Sequence, residues 1–187
     1  MEVFYLYCFA NLKGTPTSKG PFMTKKTIFF IVFVCWMLVI FNFSAQPYQE
    51  QDLTPVLQTY LEPLHLEEKL DGISFNYAGS EVSVQSVGVV SFVQFFIRKA
   101  AHLSIFFVLG FLTYRVLSYF LKKKQLWFPG ALMFVIVYAS LDELHQKITG
   151  DRTPLIQDVV LDTVGGTLGI IVCWLWVKKR NQTKQSA

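Results

Sequence analysis

Residues Ile156–Val177 read IQDVVLDTVGGTLGIIVCWLWV and run directly into Lys178, Lys179 and Arg180. A helix needs about 20 mainly apolar residues to cross the hydrocarbon of a bilayer, and this stretch supplies them. Its acids, Asp158 and Asp162, stand four residues apart at the start, so they share one helical face. Gly165, Gly166 and Gly169 continue down that stripe, and Gly165 with Gly169 forms a small-xxx-small pair that lets two helix backbones approach. The acidic stripe and the close-packing stripe coincide, so the carboxylates are expected to point into a bundle of helices.

Three further apolar runs lie upstream: Thr27 to Ala45, Ala100 to Phe120, and Leu126 to Leu141. The last reaches spanning length only by taking in Asp142 and Glu143, which sets that span at 126–143. Val87 to Ile97 is too short to cross before Arg98 and Lys99 and reads as an interfacial lead-in. Composition agrees: 52% of the 187 residues are hydrophobic, 18 are Phe and 16% are charged, with a mean hydropathy of +0.40. These values exclude an ordinary soluble domain. The net charge of +4 does not point to nucleic acid, because the basic residues cluster beside apolar runs and face a membrane surface. Cys8, Cys35 and Cys173 show neither metal spacing nor a disulfide frame and are expected to be unpaired.

The loops orient the chain. Lys25 and Lys26 precede the first span, Lys122 to Lys124 join the second and third, and Lys178 to Arg180 follow the fourth. Four crossings put all three clusters on one side, which the positive-inside rule makes cytoplasmic. Of the 13 acids, only Glu2 falls on that side. The expected fold is an all-α transmembrane bundle of four helices in a plasma membrane, with both termini cytoplasmic.

Residues 1–22 stand apart as a leader without the positive start of a signal peptide. Met23, opening Met-Thr-Lys-Lys, is the expected natural start. The membrane domain then covers 23–180, and 181–187 form a cytoplasmic tail. The extracytoplasmic loop 46–91 divides in two. Gln51 to Leu70 reads as one or two short amphipathic helices interrupted by Pro55 and Pro63. Ile73, Phe75 and Tyr77, then Ala78-Gly79-Ser80, then Val82 and Val84 form a β-hairpin pattern, with Gly79 supplying a positive φ. Such a hairpin is marginal alone, so it should pack on the loop helices or the membrane surface.

The polar residues of the spans converge at one depth. Arg98, Lys99 and His102 open the second helix, with Arg98 and His102 on one face. Asp142, Glu143, His145 and Gln146 close the third, Arg152 sits in the next loop, and Asp158 and Asp162 open the fourth. A lone charge in hydrocarbon costs about 2.5 to 3.5 kcal/mol, so these groups should face one another and not lipid. Each has a plainer reading: Lys99 snorkelling to the interface, His102 packing between helices, His145 facing solvent, Asp158 complementing a helix dipole. Acids at a helix C-terminus oppose its dipole, so Asp142 and Glu143 call for a cation, with Arg98 or Arg152 the candidates. No HExxH or comparable spacing supports a metal, and Ser104 and Ser140 lack a nucleophile turn, so no metal and no cofactor are expected. Acid–base work by His102 with Glu143 or Asp158 is chemically open.

Arg98-Lys99-Ala-Ala-His102, Asp142-Glu143 with Gln146, Arg152 and Asp158, then Asp162 and the glycines, resemble the VanZ-like family. So do Phe43-Ser44-Ala45-Gln46 after the first span and the hairpin with Gly79, and the resemblance runs from about Ile28 to Val177. It implies an envelope membrane protein linked to low-level resistance to teicoplanin, a lipoglycopeptide that acts outside the membrane. Two readings of the polar cluster follow. In the first, a non-catalytic protein binds a lipid-linked cell-wall precursor, a lipid headgroup or a lipoglycopeptide. In the second, the cluster performs acid–base chemistry on such a substrate. A transporter is less favoured, since no inverted repeat is visible.

Overall fold

The computed structural model describes residues 23–46, 52–61, 67–70, 72–150 and 155–185. Four helices are long and apolar enough to cross a membrane. The first, α1, covers Lys25–Ser44 and starts at Thr24, whose hydroxyl accepts from the Thr27 N–H at 3.3 Å. Two short helices follow, α2 at Thr54–Leu61 and α3 at Glu67–Leu70. Strands β1, Ser74–Tyr77, and β2, Ser80–Ser83, pair antiparallel with Tyr77 opposite Ser80 and Phe75 opposite Val82. Then come α4 at Val84–Phe120, a 3-10 turn at Lys124–Leu126, α5 at Trp127–Gly150 and α6 at Ile156–Gln185. The all-helical membrane bundle with a small hairpin is therefore the fold.

Several boundaries differ from the sequence reading. Pro55 does not interrupt α2; it sits in the first turn, where its missing N–H has no intrahelical partner to lose. Pro63 lies outside the described residues. The hairpin turn has two residues in the left-handed region, Ala78 at φ 52° and Gly79 at φ 83°. This is the geometry that matches the twist of a two-residue hairpin. The stretch Val87 to Ile97 belongs to α4 itself. A single break occurs at Gly88, φ 78° and ψ 158°, a conformation open to glycine and strained for other residues. Ahead of the break, Ser83 and Ser86 cap the helix reciprocally, each hydroxyl accepting from the other's backbone N–H at 3.1 Å.

The hairpin packs on α4. Phe75 lies between Phe92, Phe95 and Phe96, with ring centroids 5.8 to 6.5 Å away, and Tyr77 meets Phe95 edge-on at 5.1 Å. Alternation along β1 thus puts both aromatic residues on the α4 side. Helix α2 is tied to the same helix. Asp52 Oδ1 accepts from the Thr54 N–H at 2.9 Å, from the Thr54 hydroxyl at 2.5 Å and from Gln94 Nε2 at 3.2 Å, while Gln94 Oε1 stands 3.1 Å from the same hydroxyl.

Helix α4 is central, packing along α6, α5 and α1. Phe106 and Leu109 from α4, Ala131, Val135 and Ala139 from α5, and Ile170 and Cys173 from α6 form the most buried core. The α4–α6 crossing is tight because Gly169 carries no side chain: a Cβ there would come within 1.9 Å of the Phe107 carbonyl oxygen. Helix α1 joins through Trp36 Nε1, which donates to the Ile105 carbonyl at 3.0 Å, and Tyr138, whose hydroxyl donates to the Met37 carbonyl at 2.8 Å. Outward-facing Leu38, Phe41, Met133, Leu141, Val164 and Leu168 remain exposed. They form an apolar belt larger than a soluble monomer carries and suited to lipid. Lys25, Lys123 and Lys178 lie at one end of the bundle, and the hairpin with α2 at the other.

Candidate functional site

The polar residues of the hairpin end gather where α4, α5 and α6 meet. Asp158, in the first turn of α6, is engaged by two donors from different elements, Lys99 Nζ of α4 and the Tyr77 hydroxyl of β1. The ammonium also lies over the rings of Tyr77, at 4.6 Å, and Phe95, at 5.4 Å. Lys99 is thus held by a carboxylate and two aromatic faces. Burial, and then the bond to Asp158, raise the Tyr77 phenol above its ordinary range, so it stays neutral and donates.

One turn deeper, Asp162 is 1% exposed, and its Oδ1 lies 3.5 Å from His102 Nδ1. Asp142 of α5 accepts from Ser44 Oγ of α1 at 2.5 Å and from Gln146 Nε2 at 2.9 Å. Glu143 accepts from the Leu155 N–H at 3.0 Å, bridging α5 to the start of α6. The dipole argument for a cation beside Asp142 and Glu143 does not apply, because α5 runs on to Gly150 and the acids stand inside the helix. Among the described residues, their hydrogen-bond donors include a hydroxyl, an amide and a backbone N–H. His145 turns to α1 and stacks on Phe41, with centroids 4.2 Å apart and planes 9° from parallel. Arg152 lies outside the described residues.

Two cavities open at this level. The larger, about 450 Å³, is walled by Tyr77 and Val82 of the hairpin, Phe95, Arg98 and Lys99 of α4, and Glu143 and Asp158. The smaller, about 340 Å³, lies on the α1 side among Ile40, Phe43, Leu53, Ile97, Phe106 and Asp142. Arg98, His102 and Gln146 line both and form the partition between them. The larger cavity combines apolar walls with a few convergent polar groups, the usual character of a ligand site. The glycines Gly165, Gly166 and Gly169 sit instead at helix crossings, facing Leu103, Val135 and Phe107.

Residues 29–177, from the first turns of α1 to the body of α6, match the VanZ/LLP1 family. The chain belongs to that family. No curated protein and no solved structure matches it. The family match and the four spanning-length helices together make this VanZ/LLP1 member a multi-pass membrane protein.

Some residues of this VanZ/LLP1 site carry no strong sequence signal. Ser44 stands in the Phe43-Ser44-Ala45-Gln46 stretch that carries part of the resemblance, but its bond to Asp142, 98 positions away, is seen only in the structure. Tyr77 reads as an ordinary inward residue of a hairpin. At the lysine end, Arg115 lies in the apolar run of α4, a signal that does stand in the sequence. Its guanidinium packs over Tyr119 at 4.2 Å, Trp176 at 5.0 Å and Phe29 at 5.4 Å, and donates to the Tyr119 hydroxyl at 2.5 Å. An aromatic cage from three helices holds it.

Proposed function

We propose that this VanZ/LLP1 member lies in the plasma membrane with both termini cytoplasmic and binds the polar headgroup of an envelope molecule in its hairpin-end cavity. The ligand is a lipid-linked cell-wall precursor or a lipoglycopeptide, and the consequence is a contribution to teicoplanin resistance. The larger cavity carries this reading. Its apolar walls, Val82 and Phe95, suit the start of an acyl or prenyl chain, while Arg98, Lys99 and Glu143 offer charge to a headgroup. The orientation rests on the lysine clusters at the opposite end.

The test compares membrane abundance and teicoplanin susceptibility for wild type, Arg98→Ala, His102→Ala and Asp158→Asn. Variants that accumulate normally and lose resistance support the binding site. Loss of protein from the membrane shows that the cluster mainly holds helices together, and a wild type that confers no resistance removes the teicoplanin reading.

The pairing of His102 with the buried Asp162 favours a second reading, acid–base catalysis on the same ligand. Asp158→Asn and Glu143→Gln keep hydrogen bonding and remove proton transfer. Near-normal activity in both counts against an enzyme using those acids.

A further inference from the structure

His102 of α4, Asp142 of α5 and Asp162 of α6 each present one ligating atom, and these atoms lie within 4.8 Å of one another. No short motif brings them together, since each comes from a different helix. Asp142 and Asp162 are 5% and 1% exposed, and among the described residues Asp162 Oδ1, the oxygen facing the imidazole, has no hydrogen-bond partner. A buried carboxylate oxygen without a donor is costly, and a second carboxylate beside it adds like-charge repulsion. Lys99 is committed to Asp158, so it does not answer this pair.

We infer that His102, Asp142 and Asp162 form a binding site for a divalent transition-metal ion of the zinc or manganese class. One imidazole nitrogen and two carboxylate oxygens are a donor set these ions accept. Tetrahedral coordination with bonds of 2.0 to 2.2 Å places ligand atoms about 3.4 Å apart, so small side-chain rotations close the cluster around an ion. The surrounding bonds suit that role: Ser44 and Gln146 each donate to one oxygen of Asp142 and fix its plane, as outer partners of metal-bound carboxylates do. An ion would bond directly to Asp162 Oδ1, from which His102 Nδ1 lies 3.5 Å away. Three protein ligands also leave a coordination position open. That position faces the cavities, because His102 lines both and Asp142 the smaller. An oxygen of a ligand or a water molecule would complete the shell there. The inference is independent of which envelope molecule the larger cavity takes.

The test uses untagged full-length protein in detergent, stripped with chelator, loaded with Zn²⁺ or with Mn²⁺ and desalted. About one ion per chain is expected for wild type and for His145→Ala, whose imidazole stacks on Phe41 outside the cluster. Asp162→Asn and His102→Ala, checked as monodisperse, should lose affinity at least tenfold. Wild type that retains neither ion, or equal loading by wild type and folded Asp162→Asn, overturns the site. X-ray absorption on zinc-loaded wild type does not depend on any variant folding. A shell of oxygen and nitrogen with one imidazole is expected; sulfur, or several imidazoles, overturns the assignment.

Discussion

Asp158 takes a lysine from α4 and a tyrosine from the hairpin on one carboxylate, so one residue joins three elements. Lys99 and Asp158 are each about one-fifth exposed, at 22% and 20%, which places the pair between a surface and a buried ion pair. A double-mutant cycle on Lys99→Met and Asp158→Asn, followed by thermal unfolding in detergent, should return a coupling of about 1 kcal/mol. A coupling near zero would mean that the aromatic rings alone hold Lys99. Gly169 is a sharper case. Gly169→Ala places a methyl against the Phe107 carbonyl and forces α4 and α6 apart. It should cost more than about 2 kcal/mol and reduce membrane abundance. Gly130→Ala is the control: its Cβ meets only the flexible end of Leu117 at 3.3 Å, so abundance should be near wild type.

At the scale of elements, α2 is held to α4 by Asp52, Thr54 and Gln94. The bonds from Thr54, its side chain first, hold the Asp52 carboxyl below its ordinary pKa. A carboxylate depressed in the folded state stabilises at pH above its unfolded value and loses that contribution as pH falls through the folded one. Hydrogen exchange in α2 should therefore stay slow at neutral pH and rise, relative to α4, only below the ordinary carboxylate range. Asp52→Ala should show the faster exchange already at pH 7. If exchange in α2 is the same in both proteins, the anchor has no effect on docking. The break at Gly88 belongs to the same scale, since it lets the capped turn after the hairpin enter α4 at an angle. Gly88→Ala should destabilise the hairpin packing by about 1 kcal/mol or more, although open space surrounds the position, because φ 78° is strained for alanine.

For the whole molecule, orientation is the property to measure. With Cys8, Cys35 and Cys173 replaced by serine, Ser80→Cys at the hairpin should react with a membrane-impermeant maleimide in intact cells. Lys123→Cys should react only after permeabilisation. The opposite pattern would invert the topology and place the polar cavities on the cytoplasmic side, removing the envelope-facing function. The bundle is also asymmetric in its chemistry. The hairpin end holds carboxylates, His102 and two cavities, whereas Arg115 at the lysine end is enclosed by aromatic rings. Arg115→Lys keeps the charge but gives up the planar stacking on Tyr119 and Trp176, so it should lower stability by about 1 kcal/mol without changing the hairpin-end cavities.

The sequence by itself determined the four spanning helices, the hairpin and the end at which the polar residues gather. Helix length and hydropathy are local properties of a run such as Ile156–Val177, and lipid outside the bundle demands little more than apolarity. It also named Arg98, His102, Asp142 and Asp162 as a group, because charge inside an apolar run needs a partner wherever the helices pack. Only the tertiary structure decided who partners whom. That α4 starts at Val84 and carries a break at Gly88, and that α5 runs past its acids to Gly150, follows from hydrogen bonds and packing that hydropathy does not register. That Ser44 serves Asp142, Tyr77 serves Asp158, and His102 faces Asp162 depends on the rotation of each helix about its axis. Rotation is set by close contacts such as Gly169 on Phe107 and Gly165 on Leu103, between residues that are distant in the chain.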